Sequence, residues 1–366
     1  MMPACLLHAQ ARACGVQWWS DRAKRRPASR GPRGFALSAA LVAWFGLAGV
    51  GSAPAAPVDD LAAALTGAKG ARSTVETTRD ADGRVHVVIR GEHYDGRAFL
   101  RAFLRTFLAG LSADRAPGSA FDLDLDIDVG SLGGFDGELL RGVALRLSTQ
   151  RGELVALALA GRIGVSDLRG ELRRGRDGRG AVHLESGDAG ALLRFLDLYQ
   201  NVRQGRARID VAVPGPDGGA QGVIVVDDFS IVGERVLKPL IVSARSGPAP
   251  EDAIGLSHLR LSFGLAPDEA ALREGVAVGP AFGATVEGRI GFAANDIKLR
   301  GTIVPLFGLE QEMRKSSLHP PEELFSLSYT IEGPMPEPVL RLNNPGPLAP
   351  GLLRRLFMPM RNEGGE

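Results

Sequence analysis

The feature that most constrains the fold of this 366-residue chain is a regular succession of short apolar segments separated by turn sequences. Paired segments flank Asp80-Ala81-Asp82-Gly83, Asp177-Gly178 and Pro214–Gly219, and such segments recur at roughly eight- to twelve-residue spacing. Asp-Gly pairs and glycine-rich turns are typical of β-hairpins. The pattern therefore predicts a mainly β fold with a few helices (β-rich α+β). In it, antiparallel hairpin strands curl into an open groove or an elongated sheet, without βαβ units.

One segment, Asp188–Gly205, interrupts the strands and predicts a helix. Its leucines and Tyr199 recur at three- and four-residue spacing, which places them on one helical face. The first residue is a natural N-cap, and the last is a glycine that typically ends a helix. Because Val223–Val226 is apolar without alternation, we expect a strand there with both faces covered. We therefore predict a helix over residues 188–204 that packs on that sheet.

The segment Phe121–Val129 shows the clearest strand alternation in the chain. Four aspartates point to one face, and a solvated outer face explains them better than calcium, whose ligands come from curved loops. The other face is an apolar stripe that needs either a core or a ligand. If the ligand is a lipid, the side chains facing it are Phe121, Leu123, Leu125, Ile127 and Val129.

A second helix is predicted over Arg97–Leu111, where apolar residues form one stripe and three arginines lie opposite. A basic amphipathic helix of this kind can lie on an anionic membrane surface. The alternative is a helix whose apolar stripe docks on the sheet with its arginines in water. We favour docking, because most amphipathic helices face a protein core.

The N-terminus has the order of an export signal. A basic stretch, Arg22–Arg33, precedes the apolar run Phe35–Val50, and the small residues Ala53 and Ala55 follow at the A-x-A cleavage spacing. We expect a periplasmic protein, either soluble after cleavage or anchored to the inner membrane by residues 35–50. The predicted organisation is a signal or anchor over 1–55, a hairpin and amphipathic helix over 56–118, a β-rich region with the central helix over 119–246, and a C-terminal β module over 247–366.

The distribution of charge and of cysteines, together with a search for known site motifs, argues against several classes of function. Seven of the 43 basic residues but only one of the 42 acidic residues precede residue 56, which leaves 36 basic and 41 acidic residues in the body. A mildly acidic body argues against nucleic acid as a partner. Both cysteines, Cys5 and Cys14, also lie before residue 56, so no cysteine-based site is expected in the body. No nucleophile elbow, metal-binding histidine pair or phosphate loop is present, so we expect no catalytic, cofactor or metal site.

Several turn and helix residues occur in an order that resembles the AsmA-like family, specifically the C-terminal region of AsmA, YhdP and TamB-type envelope proteins of Gram-negative bacteria. The similarity spans about residues 90–357. The residues that carry it are Asp188, Gly190, Leu193, Leu196, Tyr199, Gly205, Gly222, Gly301, Pro305, Gly333, Pro334, Pro350, Gly351, Arg354 and Phe357.

The resemblance implies a β-groove lined with apolar residues that binds or guides phospholipid acyl chains and supports outer-membrane biogenesis and envelope homeostasis. It implies a membrane-proximal, non-enzymatic protein that has phospholipid and an envelope protein as partners. The alternative is a structural module whose core is filled and which docks an envelope protein through its surface. The charged segment Leu306–Leu324 departs from the family pattern.

Overall fold

The computed structural model of the chain describes the central part of the sequence with short gaps. The described residues are 72–102, 122–151, 153–175, 179–212, 220–233, 253–266, 269–280, 282–291, 294–305, 325–334, 338–342 and 346–347. The predicted signal over residues 1–55, Phe121, the remainder of the amphipathic helix after residue 102, and the signature residues Pro350, Gly351, Arg354 and Phe357 all lie outside these ranges.

Sixteen strands and one capped helix make up most of the described residues. The strands are β1 Arg72–Arg79, β2 Val85–Asp95, β3 Leu123–Gly133, β4 Leu139–Gln150, β5 Glu153–Ile163, β6 Ser166–Arg174, β7 Gly180–Ser186, β8 Val202–Ala212, β9 Ala220–Val232, β10 Ala253–Leu265, β11 Glu269–Val278, β12 Phe282–Gly291, β13 Asp296–Pro305, β14 Phe325–Pro334, β15 Val339–Leu342 and β16 Gly346–Pro347. The helix, α1, spans Ala189–Phe195, and residues 97–102 are also helical.

The strands form one open sheet in which β1 to β15 follow one another in sequence order, while β16 pairs with β14. Every described strand pair is antiparallel except β2 with β3, which run parallel from Val85 opposite Leu123 to Asp95 opposite Gly133. A parallel pair needs a long crossover, and residues 96–122 supply it. The predicted β-rich fold with an open sheet is confirmed, and the parallel pair is its one departure from hairpin pairing among the described strands.

The two faces of the sheet differ in polarity, as the strand alternation predicts. In β3 the leucine, isoleucine and valine side chains are buried, while Asp124, Asp126 and Asp128 lie on the other face. We call the apolar side the inner face and the charged side the outer face. Buried inner-face residues form two hydrophobic clusters, an N-terminal cluster centred on β2–β4 and a C-terminal cluster that extends from β7 to β14.

Helix α1 joins the two clusters. Ala189 and Leu193 belong to the C-terminal cluster, whereas Ala191, Leu192 and Phe195 belong to the N-terminal cluster. All five are at most 5 % exposed, so this short helix is covered on most sides. The predicted packing of this segment against the sheet is therefore present, and the helix makes its main contacts with β8.

The helix is shorter than the predicted range 188–204. Asp188 caps its N-terminus, since its Oδ1 accepts a hydrogen bond from the Ala191 N–H at 2.9 Å. The helix ends at Phe195 because Asp197 adopts a left-handed conformation with φ 58°. The N–H of Leu198 then donates to the carbonyl of Leu193 at 2.8 Å, and the Asp197 N–H donates to the carbonyl of Arg194, a Schellman ending.

Gly205 is not the stop of this helix but a residue inside β8. Its φ is +89°, and a Cβ placed there would lie 2.7 Å from the Cβ of Phe229 on β9. Close approach of two strands, together with a left-handed backbone, therefore explains the glycine. Gly190 has a comparable reason, because a Cβ there would lie 2.6 Å from the Val202 carbonyl oxygen where α1 meets β8.

The start of the predicted amphipathic helix docks on the N-terminal cluster. Phe99 and Leu100 are 2 % and 6 % exposed and belong to that cluster. The guanidinium of Arg101 lies 4.6 Å from the centre of the Phe135 ring and 3.5 Å from the carboxylate of Asp197. For residues 97–102 the apolar side therefore faces protein, which agrees with the docked alternative.

Candidate functional site

The inner face is not equally covered along the sheet. Between the two clusters, seven apolar side chains on five consecutive strands are only partly buried, and we call them the apolar band. Its members are Leu145 on β4, Leu154, Leu157 and Leu159 on β5, Leu172 on β6, Leu184 on β7 and Ile209 on β8. The band is the candidate functional surface, because an apolar surface that the protein leaves incompletely covered has room for an apolar ligand.

Strand register makes the apolar band continuous. Leu159 is opposite Leu145 on one side and Gly170 on the other. The next strand places Leu184 opposite Gly170, and Ile209 is opposite Leu184 on β8. Residues opposite each other in adjacent strands point to the same face, so these side chains form a row across the sheet. Gly170 leaves a low point in that row.

The band connects the two clusters. Leu154 and Leu157 pack against the N-terminal cluster and also against the C-terminal cluster. An inner-face path of apolar side chains therefore runs from β2 to β14 without a charged interruption at β5. Chemically, such a path can hold a hydrocarbon chain through burial of apolar surface, which is worth roughly 25 cal/mol per Å².

The stripe predicted to face lipid lies on the same inner face, next to the band, and it is closed. Leu123, Leu125, Ile127 and Val129 are 0–2 % exposed. They pack in the N-terminal cluster together with side chains of β2, β4, α1 and residues 97–102. The prediction for Phe121 falls outside the described residues. Lipid contact at the stripe stays a prediction. It would require the side chains of the N-terminal cluster to move apart.

Three of the four aspartates opposite the stripe, Asp122, Asp124 and Asp126, form a ladder of ion pairs on the outer face. Asp124 lies 3.0 Å from Arg84 and 3.3 Å from His86, and Asp126 lies 2.8 Å from Arg90. Burial works against ionisation of Asp124, but hydrogen bonds from Ser148 and Arg84 outweigh it and lower the pKa of this carboxyl. Arg84, which immediately precedes β2, and the basic residues of β2 itself thus offset the acidic face. No cluster of three or more His, Cys, Asp or Glu side chains in the described ranges has the arrangement of a metal site.

The apolar band was missed in the sequence, although β5 carries a signal for it. From Ala156 to Ala160 alanines alternate with leucines, so the middle of this strand has an apolar inner face and only alanines on its outer face, while its charged residues, Glu153 and Arg162, lie near the ends. The equivalent alternation in β3 places aspartates outside. A strand whose middle has no charge on either face is a candidate for contact on both faces, whereas the sequence analysis treated this strand only as one arm of a hairpin.

The remaining signature residues lie mostly at strand ends and close contacts. Gly222 and Gly301 are on strands β9 and β13, where a Cβ would collide with Phe263 and with the Thr285 carbonyl respectively. Pro305 ends β13, and Gly333 and Pro334 end β14. Leu196 and Tyr199 are partly buried just after α1. Most of these residues therefore occupy positions where an antiparallel sheet restricts the backbone, either at a strand end or at a close contact between strands.

Comparison of the chain with protein-family models, with curated proteins and with solved structures found no match in any of the three. Within the described residues, no helix has both the length and the apolar character needed to cross a membrane.

Proposed function

We propose that this chain is an exported, non-enzymatic module that binds or guides phospholipid acyl chains along the inner face of its sheet. The observation that carries the proposal is the apolar band, a continuous row of partly buried aliphatic side chains across β4–β8. The apolar stripe of β3 and the band lie on one face, so they extend one surface. Export to the periplasm is supported by the order of basic, apolar and small residues before residue 56.

A role in outer-membrane biogenesis and envelope homeostasis is supported by the resemblance to AsmA-like proteins. The open sheet suits that role, since a sheet with one apolar and one charged face shields hydrocarbon on one side and faces water on the other. An envelope protein as a further partner is part of the same proposal.

A second candidate function is a structural module with a filled core that docks an envelope protein. The burial of Leu123, Leu125, Ile127 and Val129 to 2 % exposure or less favours it at this end of the sheet. The two candidates differ at the apolar band. A lipid-binding module needs the band for its ligand, whereas a docking module needs only a stable sheet.

The test is to purify the full chain from a Gram-negative host, extract bound lipid and quantify phospholipid by mass spectrometry. We expect near-stoichiometric phospholipid with the unchanged chain. The variant Leu157→Arg places a charge on the inner face and should lose most of the lipid, because an acyl chain cannot solvate a guanidinium. The matched control is Ala156→Arg, one residue away on the exposed outer face, which should keep it.

Circular dichroism establishes that both variants are folded. Lipid-free unchanged protein, or equal lipid loss in both variants, would contradict the acyl-chain proposal. Lipid-free protein that is thermally stable would favour the docking candidate.

A further inference from the structure

Strand β1 forms one edge of the described sheet. It pairs with β2 over eight residues, and none of the other described strands lies on its far side. Six of its eight residues are exposed and none is buried. In an edge strand, alternate residues direct their N–H and C=O groups away from the sheet, where they can pair with another strand. This edge is therefore a surface for strand addition.

The sequence of β1 has few of the features that protect natural edge strands, which are proline, lysine, bulges and short length. It contains neither proline nor lysine, and it is eight residues long. The one bulge in its pairing with β2 places the extra residue, Glu92, on β2, so β1 itself is regular. Residues Thr74–Thr78 are β-branched except for Glu76, a composition that suits strand pairing.

A second copy of the chain can pair with β1 antiparallel, and charge and length select one register. A two-fold axis perpendicular to the sheet keeps the same face on the same side, so one residue at the axis faces its own copy. With Glu76 at the axis, two carboxylates are directly opposite, which is unfavourable. With Thr74 or Thr77 there, only five residues of β1 are paired. With Val75 at the axis, residues 72–78 are all paired and no like charges are directly opposite.

The pairs in this register are chemically compatible. The facing pairs are Val75 with Val75, Ser73 with Thr77, Thr74 with Glu76, and Arg72 with Thr78. Glu76 has the second Glu76 on one diagonal and Arg72 of the second copy on the other, so an opposite charge accompanies the like one. The ion pair that Arg72 makes with Glu92 at 3.5 Å is exposed, which leaves its guanidinium accessible from the edge.

The other end of the described sheet offers a poorer partner for β1. Strand β15 is four residues long and follows Pro338, so head-to-tail pairing of β1 with β15 of another copy would give at most four pairs. Head-to-tail contacts also leave a free edge on each end of the assembly and tend to grow into filaments. The two-fold pairing of β1 uses seven residues of each copy and closes. The described edges therefore favour a closed dimer.

We propose that two copies of this chain join edge to edge through β1, antiparallel and with Val75 at the two-fold axis. Val75 packs against the N-terminal cluster, so the pairing places the N-terminal clusters of the two copies side by side and makes their inner faces continuous. One strand from each copy is a small interface, and we expect a reversible dimer with a Kd on the order of micromolar. The inference concerns the edge of the sheet and stands without the acyl-chain proposal.

The first test measures the solution mass of the full chain by analytical ultracentrifugation over a concentration series of about 1 to 100 µM. We expect a monomer–dimer equilibrium. Thr74→Glu places a second carboxylate opposite Glu76 and should weaken the dimer at least tenfold. The matched control Thr74→Lys places a cation there and should dimerise at least as tightly as the unchanged chain. Adding Glu76→Lys to Thr74→Glu should restore the dimer, and circular dichroism establishes that each variant is folded.

The second test determines the register by cysteine cross-linking, in a background in which Cys5 and Cys14 are replaced by serine. Opposite residues of an antiparallel pair have Cα atoms about 4.5–5.5 Å apart, which is within the range of a disulfide. We expect Val75→Cys to form a disulfide-linked dimer on its own. Ser73→Cys and Thr77→Cys should form one when the two variants are mixed, but neither should do so alone.

A monomer at every concentration would overturn the proposal, and so would equal dimerisation of Thr74→Glu and Thr74→Lys, because the dimer would then form through another surface. Cross-linking of Ser73→Cys alone as efficiently as Val75→Cys would overturn the assigned register. The proposal is supported if the charge variants differ in the expected direction and the cross-links follow the Val75-centred pattern.

Discussion

The leucines of β3 and the leucines of β5 lie on the same face of the same sheet, two strands apart, yet only the β3 side chains are closed off. Leu125 is 2 % exposed, and the same cluster contains Phe99, Leu100 and three residues of α1. Leu157 packs against both clusters but remains partly buried. The difference teaches that alternation assigns a side chain to a face, whereas the elements that cross that face decide whether it becomes core or surface.

The comparison is tested most strongly by placing the same charge in both regions. Leu125→Arg puts an unpaired guanidinium into a closed cluster, and we expect the free energy of unfolding to fall by more than about 4 kcal/mol. Leu157→Arg should cost only about 1–2 kcal/mol, since the long side chain can reach water from a partly buried position. Urea unfolding followed by circular dichroism measures both. Equal losses would mean that the two regions do not differ in closure.

A second test concerns the helix that closes the N-terminal cluster. Phe195 is 3 % exposed at the end of α1, and Phe195→Ala should lower the free energy of unfolding by about 3–5 kcal/mol. The neighbouring Leu196 is partly buried, so Leu196→Ala should cost clearly less. Thermal and urea unfolding of the pair give the comparison. A smaller loss for Phe195→Ala than for Leu196→Ala would show that α1 does not close the cluster.

The smallest expected effect concerns the outer face of β3 and depends on pH. The pKa of Asp124 is lowered in the folded protein, so its contribution to stability is present above its unfolded pKa of about 3.9 and is lost as the pH falls through the folded value. Asp124→Asn should remove under about 1 kcal/mol at pH 7, because the side chain is 34 % exposed. The free energy of unfolding of this variant should also fall less steeply than that of the unchanged chain as the pH is lowered toward 3.

The control for this test is Asp128→Asn on the same face, since no described residue forms an ion pair with Asp128. Its stability should follow that of the unchanged chain between pH 7 and pH 3 in urea titrations. If Asp128→Asn flattens the curve as much as Asp124→Asn, the ladder with Arg84 and Ser148 is not the source of the effect.

Local patterns predicted much of the fold. The Asp80–Gly83 turn joins an antiparallel pair as expected, and the alternation of β3 divides its buried and charged residues correctly. The end of α1 was wrong by about nine residues, because the Leu-x-x-Leu-x-x-Tyr spacing continues past Asp197. An aspartate in a left-handed conformation is a weaker stop signal than glycine, and the intervening turn keeps the same apolar spacing.

Features that depend on distant parts of the chain were beyond sequence reasoning. The parallel pairing of β2 with β3 is set by a crossover of residues 96–122, and no local pattern distinguishes it from a hairpin. The closure of the β3 stripe depends on α1, some sixty residues later in the chain. For the same reason, no local pattern indicated the contact between His183 on β7 and Asp210 on β8, whose side chains lie 2.5 Å apart because adjacent strands place the two residues opposite each other.

The nearest-neighbour order of the strands affects how such a sheet folds and how easily strands can be added to it or removed from it. From β3 to β13 each strand pairs only with the strands that precede and follow it, so the ladder can grow one hairpin at a time, and most of the connections to close are short. An architecture of this kind is quasi-one-dimensional, and its stability is approximately a sum over adjacent units. A hairpin can therefore be inserted or deleted with its neighbours intact, which makes the length of the sheet an adjustable quantity in this type of protein.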